Sequence, residues 1–299
     1  GDITMTGEQL YPMGTLTFEE LVDIYKEQVS CLLAQDVDLF VIETMMSLNE
    51  CRAALLAVKE SCDLPVIVTL TYEADMRTLY GTTPETAMVV LESMGADAVG
   101  LNCSTGPDQM VEAVRQMNKY ANVPIVVKPN AGLPTLVDGK TCYSMGPQDF
   151  AQSMIDLADA GATVLGGCCG TTPEHIRKMV ETIQKKTPIH EEEKSLRVLT
   201  TEHNVTPIEL DGPFMIVGER INPTGKKELQ AQLREGNFDL VTSMAEEQVK
   251  LGAKVLDVNM GMNGIDEKER MLEVVHLLTQ TVEVPLSIDS SDVKVVERS

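Results

Sequence analysis

Three of the seven cysteines stand where apolar runs end. Cys103 directly follows residues 98–102 (AVGLN), and Cys168 and Cys169 directly follow residues 163–167 (TVLGG). Runs of this kind suit strands buried on both faces of a parallel sheet, where active sites gather at the carboxyl ends of the strands. Three thiolates on one rim suit a borderline-soft metal, of which zinc is the commonest choice. Three protein ligands with an open fourth position define a catalytic zinc site rather than a structural one. Glycines at 166, 167 and 170 let the chain turn tightly enough for both adjacent cysteines to reach one ion. Spacing alone leaves two other readings open, namely small buried residues and a vicinal disulfide. Cys31, Cys51 and Cys62 fall in or just after helical stretches, and Cys142 falls in a loop.

Other polar residues end apolar runs too. Glu43 closes residues 39–43 (LFVIE), followed by Thr44; Lys128 closes residues 125–128 (IVVK), followed by Pro129 and Asn130. Glu43 suits an ammonium group and Asn130 suits the polar end of a substrate; for each, a loop-capping hydrogen bond is the alternative. Tyr72, Asp75 and Arg77 follow residues 66–71 on the same rim, with no role assigned. His175 is a conceivable fourth metal ligand, about a helical turn beyond Cys169, but its spacing favours a surface position on a helix.

These residues require a scaffold of alternating strands and helices, and the sequence supplies its signals. Residues 20–33 carry apolar side chains at helical spacing. Thr17 with Glu20 and Ser47 with Glu50 match capping boxes. Pro84, Pro147 and Pro173 sit where a first helical turn needs no N–H donor. Gly95, Gly161 and Gly252 each separate a helix from the next strand. Repetition of this pattern is the βα unit of an α/β barrel or doubly wound sheet. The first region shows the five runs at 39–43, 66–71, 98–102, 125–128 and 163–167, plus a strand end at residues 1–3. A (β/α)8 barrel needs eight strands. The pattern breaks over residues 185–213, with a charge run at 190–194, which reads as an interdomain linker; a long surface loop is the alternative. It restarts with strands at 214–219, 255–259 and 286–289 and helices at 239–251 and 267–281.

Composition narrows the function. With 24 Lys and Arg against 46 Asp and Glu, the net charge of −22 disfavours a nucleic-acid partner. Hydrophobic residues at 43% are enough for a sizeable core. No apolar run reaches the roughly 20 residues of a membrane helix, and no signal peptide opens the chain. An odd cysteine count in a long acidic chain fits a reducing cytoplasm with metal-binding or catalytic thiols. Met88, Met94, Met110 and Met117 lie on helical stretches and are expected to fill core gaps.

The motifs GLNC at 100–103 and GGCCGTTPEHI at 166–176, with FVIETM at 40–45 and VVKPNAG at 126–132, resemble the homocysteine S-methyltransferase family. That resemblance implies a (β/α)8 barrel and zinc held by Cys103, Cys168 and Cys169. It further implies homocysteine at the fourth position, Glu43 on the substrate amino group and Asn130 close to the substrate. The family's early Asp-Gly-x-Met-Gly-Thr motif is absent, and residues 1–7 look like a later family segment at the end of its third strand.

MIVGERINPTGKK at 215–227, GAKVLDVNMG at 252–261 and PLSIDSS at 285–291 resemble the pterin-binding domain shared by dihydropteroate synthases and methyltetrahydrofolate methyltransferases, again a (β/α)8 barrel. Glu219, Asn222, Asp257, Asn259 and Asp289 are the implied pterin contacts, Asp289 foremost. An Asp carboxylate accepts two hydrogen bonds from the donor edge of a pterin ring. A structural hydrogen bond is the alternative for Asp257. The domain order is similar to that of the cobalamin-dependent methionine synthase family. The resemblance implies methyl transfer from methyltetrahydrofolate, through methylcobalamin bound by a module outside this chain, to zinc-bound homocysteine thiolate, giving methionine and tetrahydrofolate. The cobalamin module would lie in the same parent chain or on a separate subunit.

The expected organisation is therefore two tandem TIM-barrel domains in a fragment. Residues 1–186 form a homocysteine domain lacking its N-terminal strands, 187–212 a linker, and 213–299 a pterin domain cut after about three strands. Alone, such a piece would expose apolar strand edges and would be inactive. The alternatives are a homocysteine methyltransferase using a sulfonium or betaine donor, one fused to a methylenetetrahydrofolate reductase, and a non-catalytic zinc-stabilised fragment.

Overall fold

The computed structural model describes residues 1–11, 13–137, 139–184, 186 and 193–297, and these fall into two compact units, residues 1–196 and 197–299. The charge run expected at 190–194 lies mostly outside the described residues.

In the first unit a parallel sheet is built from β1 (Asp2–Ile3), β2 (Phe40–Met45), β3 (Val66–Leu70), β4 (Ala98–Asn102), β5 (Ile125–Lys128) and β8 (Val164–Leu165), neighbours in that order. An antiparallel hairpin, β6 (Pro134–Val137) with β7 (Lys140–Tyr143), follows β5. Helices α1 (Phe18–Leu33), α2 (Leu48–Ser61), α3 (Pro84–Ser93), α4 (Pro107–Asn118), α5 (Pro147–Asp159) and α6 (Pro173–Ile183) connect the strands. The six strands run as consecutive members of an α/β sheet; among the described residues β1 and β8 are its two ends.

Alternation along each strand decides what goes where. Phe40, Ile42, Val66, Val68, Leu70, Val99, Leu101 and Val127 turn one way and are buried in the core. Each such side chain contributes about 1.5–3 kcal/mol by leaving water. The opposite face is more polar at its carboxyl end. There Glu43 and Thr69 lie on β2 and β3, and Asn102 of β4 is in register with Lys128 of β5. The polar residues that close the apolar runs thus gather at this end, where the site sits.

The helix signals hold with one change. Thr17 and Glu20 form a complete capping box, and Pro84, Pro147 and Pro173 each open a helix. Ser47 accepts from the Glu50 N–H, but the Glu50 carboxylate does not reach back. It is buried, accepting instead from the Thr6 N–H (2.7 Å), the Thr6 hydroxyl (2.8 Å) and Tyr25 (2.9 Å). Burial and then the Glu50 charge push the Tyr25 hydroxyl well above its ordinary value, so it remains a donor. Met88, Met110 and Met117 are buried and Met94 packs against the core as expected.

In the second unit an antiparallel pair, β9 (Val198–Thr200) and β10 (Val205–Pro207), occupies part of the expected linker. A parallel sheet follows in the order β11 (Val217–Ile221), β12 (Val255–Asn259), β13 (Leu286–Asp289). Helices α7 (Lys227–Glu235), α8 (Asp239–Lys250), α9 (Glu267–Thr281) and α10 (Val293–Val296) complete it. Strand β11 begins three residues later than the sequence suggests. Phe214 and Ile216 are exposed, and the buried positions are Gly218 and Ile221. Among the described residues no helix is long and apolar enough to cross a membrane.

Candidate metal centre and adjoining polar sites

Cys103 leaves the end of β4, and Cys168 and Cys169 follow β8, with β5 between them. The chain is fixed at each point. The Cys103 N–H donates to the Lys128 carbonyl (3.1 Å) and the Cys168 N–H to the Pro129 carbonyl (2.8 Å). Cys103 and Ser104 both adopt left-handed backbone (φ 64° and 58°), sharply redirecting the chain after the strand. Near β8, Gly170 also has positive φ (78°), and the Tyr143 ring lies where its Cβ would be, 2.4 Å from the ring's Cγ. Burial and then the neighbouring Cys169 thiol raise the Tyr143 hydroxyl above its ordinary value.

These constraints bring the three sulfurs together. Sγ of Cys169 is 3.8 Å from Sγ of Cys103 and 3.9 Å from Sγ of Cys168, and all three lie within 4.8 Å of one another. Tetrahedral zinc with Zn–S bonds of about 2.3 Å sets its sulfurs about 3.8 Å apart, so the donor set fits that ion. All seven cysteines are free, and 3.9 Å is no vicinal disulfide. Burial, and then the neighbouring Cys103 and Cys169 sulfurs, push the Cys168 thiol up to about 12, so three thiolates crowded here need a cation to offset their charge.

His175 does not close the set. It is buried rather than on the surface. Its Nδ1 accepts from the Thr172 N–H (3.2 Å), which leaves Nε2–H to donate to the Met145 carbonyl (2.9 Å), so one nitrogen caps α6 and the other ties that helix to the segment before α5. Among the described residues the cluster of His, Cys, Asp and Glu donors consists of the three cysteines alone. Cys142, expected in a loop, lies on β7 and is exposed.

Beside the thiols, Glu43 forms an ion pair with Lys128, both half-buried. Burial and then the Glu43 charge raise the Asp2 carboxyl, with Lys128 acting the other way, so all three share one face. Asn130 is buried, and its carboxamide oxygen accepts from the Cys169 N–H (3.0 Å), which ties it to the cysteine loop. Tyr72 is buried against the helices, while Arg77 donates to the Gly81 carbonyl (2.7 Å) and its N–H to Asp75 (3.1 Å). Asp75 and Arg77 thus shape their own loop.

Two participants were not singled out from sequence. Asn102 is fully buried and bonded to three surrounding segments. A polar residue closing an apolar strand beside Cys103 was the available signal. Tyr143 carried no local signal, because the hairpin that delivers it comes from a segment read as loop.

In the second unit, Asp257 and Asn259 of β12 are in register with Ser287 and Asp289 of β13. Asp257 accepts from the Ser287 hydroxyl (2.8 Å), and Asn259 donates to Asp289 (2.9 Å). Glu219 lies in the irregular stretch of β11 between Gly218 and Ile221. Asn222 follows that strand and caps its own turn by accepting from the Thr224 N–H (2.9 Å). The strands thus unite Asp257, Asn259 and Asp289; among the described residues no hydrogen bond links Glu219 or Asn222 to them.

Comparison with known proteins bears on both units. The family model for homocysteine S-methyltransferases matches residues 1–183, and that for pterin binding enzymes matches residues 218–299. The methionine synthase of Mycobacterium tuberculosis is 28% identical over 297 residues, covering 97% of this chain and 25% of that protein. The methionine synthase of Mycobacterium leprae is 29% identical over 310 residues, with the same coverage of 97% and 25%. This chain therefore spans about a quarter of the length of these relatives. Among solved structures, the apo form of the homocysteine methyltransferase MmuM from Escherichia coli is similar in fold. It has a TM-score of 0.50 and 22% identity, with 61% of each chain covered.

Proposed function

This chain belongs to the homocysteine S-methyltransferase family, and from that premise we propose that it carries the methyl-accepting and methyl-donating parts of a methionine synthase. The acceptor is the thiol of homocysteine and the donor is methyltetrahydrofolate. The products are methionine and tetrahydrofolate. The observation that carries the acceptor half is the triad of thiols, all within 4.8 Å of one another, at the carboxyl rim of the sheet. The pterin-binding match over residues 218–299 supports a folate donor over a sulfonium or betaine.

Cys103, Cys168 and Cys169 hold the metal. Bound there, zinc supplies the positive charge that keeps a fourth thiol ionised at neutral pH. Glu43 receives the substrate ammonium group, and Asn130 fixes the cysteine loop beneath the substrate. In the second unit Asp289 takes the donor edge of the pterin, with Asp257, Asn259, Glu219 and Asn222 around it. A cobalamin held outside this chain would supply the methyl-carrying chemistry between the two substrates. The thiols call for a reducing compartment, the cytoplasm. Residues 1–186 and 213–299 are each part of a barrel, joined by the linker 187–212.

The test is metal content after purification in reductant, with and without homocysteine. Zinc near one per chain, lost in Cys168→Ala, with a proton released as homocysteine binds, is the expected result. A folded protein that takes up no zinc would overturn the acceptor mechanism and leave only the pterin site standing.

A further inference from the structure

Asn102 is the last residue of β4 and directly precedes Cys103. Its side chain is fully buried and bonded on every side. Oδ1 accepts from the Thr44 N–H (3.0 Å) and the Thr69 hydroxyl (2.8 Å). Nδ2 lies 2.8 Å from Thr44 Oγ1 and 3.9 Å from Cys168 Sγ. The Asn102 carbonyl accepts from the Thr71 hydroxyl (3.0 Å). The two ends of an amide look alike, but here chemistry separates them. A backbone N–H only donates, so the atom facing the Thr44 N–H is the oxygen. The amino group then faces Thr44 Oγ1 and the sulfur, and the sulfur must accept.

A metal-bound cysteine sulfur has no proton and accepts hydrogen bonds. Asn102 therefore meets Cys168 in its ligating form, and it is held by β2 and β3 before any ion arrives. Thr44 strengthens this reading, since it adopts left-handed backbone (φ 61°), a sparsely populated conformation for a β-branched residue. That conformation places both its N–H and its hydroxyl on one carboxamide.

We propose that Asn102 is a positioning residue for the metal centre, whose side-chain N–H fixes the Cys168 sulfur as a ligand and moderates the charge that sulfur gives to the ion. The proposal rests on the zinc reading of the three thiols. Partners of this kind typically govern about 10–100-fold in metal affinity.

The test uses zinc affinity by chelator competition and the sulfur-to-metal charge-transfer band of the cobalt(II)-loaded protein. Asn102→Asp keeps the shape and the acceptor for Thr44 and Thr69 but removes the donor facing Cys168. Asn102→Ser, whose hydroxyl is too short to reach the Cys168 sulfur, removes that hydrogen bond without adding charge, and decides the matter if the aspartate variant does not fold. Both are expected to weaken zinc by about 10–100-fold and to move the cobalt band to longer wavelength. Thr69→Val, which loosens the brace without touching the N–H, is expected to lower the melting temperature and leave the band in place. A folded Asn102→Ser protein with wild-type zinc affinity and an unmoved band would overturn the proposal while the zinc reading stands. A wild-type protein that binds neither metal would overturn both.

Discussion

Glu43 and Lys128 pair across the face of the sheet that carries Asn102, with β3 and β4 lying between their strands. A carboxylate proposed to receive an ammonium group is thus already matched to a cation, and the substrate must take over that contact.

Glu43→Gln is expected to weaken homocysteine binding by about tenfold or more, the worth of one charge-assisted hydrogen bond. Zinc content stays the same. Titration calorimetry with 4-mercaptobutyrate, which lacks the amino group, should show little difference between the two proteins. Equal homocysteine affinity in both would remove Glu43 from substrate binding.

Among the cysteines, Cys103→Ala, Cys168→Ala and Cys169→Ala should each abolish stoichiometric zinc, whereas Cys142→Ser should retain it. Cys142 lies exposed on β7 and outside the thiol cluster. Metal analysis after dialysis checks this. Loss of zinc in the Cys142 variant, or its retention in two of the other three, would contradict the assigned ligand set.

Gly170→Ala should disturb the same loop from behind. Its positive φ and the Tyr143 ring in the space of its Cβ make about 1–3 kcal/mol of destabilisation reasonable. Thermal melts of Gly170→Ala, Tyr143→Ala and the double variant should give a double-variant loss smaller than the sum of the single ones, because removing the ring relieves the clash. Simple additivity would mean that the ring and the glycine do not constrain each other.

Asp97 ties β3 to β4 and α2. It accepts from the Val66 N–H (2.8 Å) and from Lys59 (2.9 Å). Burial acts to raise its carboxyl, but the Val66 N–H and Lys59 outweigh it and the net direction is down. A folded value below the unfolded one of about 3.9 stabilises the protein above that pH, and the contribution is lost as pH falls through the folded value. Denaturant melts across the acid range should show Asp97→Ala less stable by about 1 kcal/mol near neutrality, with the gap closing below pH ~4. A gap that persists unchanged into acid would show that the ionised carboxylate is not its source.

Much of this architecture was legible because parallel strands are written in Val, Ile and Leu. The runs that became β2 to β5 lie within a residue or two of their observed limits. Strand β11 was displaced because Phe214 and Ile216 are apolar without being buried, and periodicity alone does not separate those properties. The three cysteines were legible from their place after strands. Asn102 was not, since its partners lie 58, 33 and 66 residues away, and its role exists only once β2, β3 and the cysteine loop converge. The Ser47 box failed at Glu50 for a similar reason, because distant Thr6 and Tyr25 outcompete the local N–H.

The thiols also span the chain in a way that matters to how it folds. Cys103 and Cys169 are 66 residues apart, and the stretch between them contains β5, the β6–β7 hairpin and α5. Closing a flexible loop of that length costs about 4 kcal/mol of chain entropy. An ion gripping both ends draws on its own binding energy to hold that loop shut. Metal supply would then set how firmly β8 stays against β5.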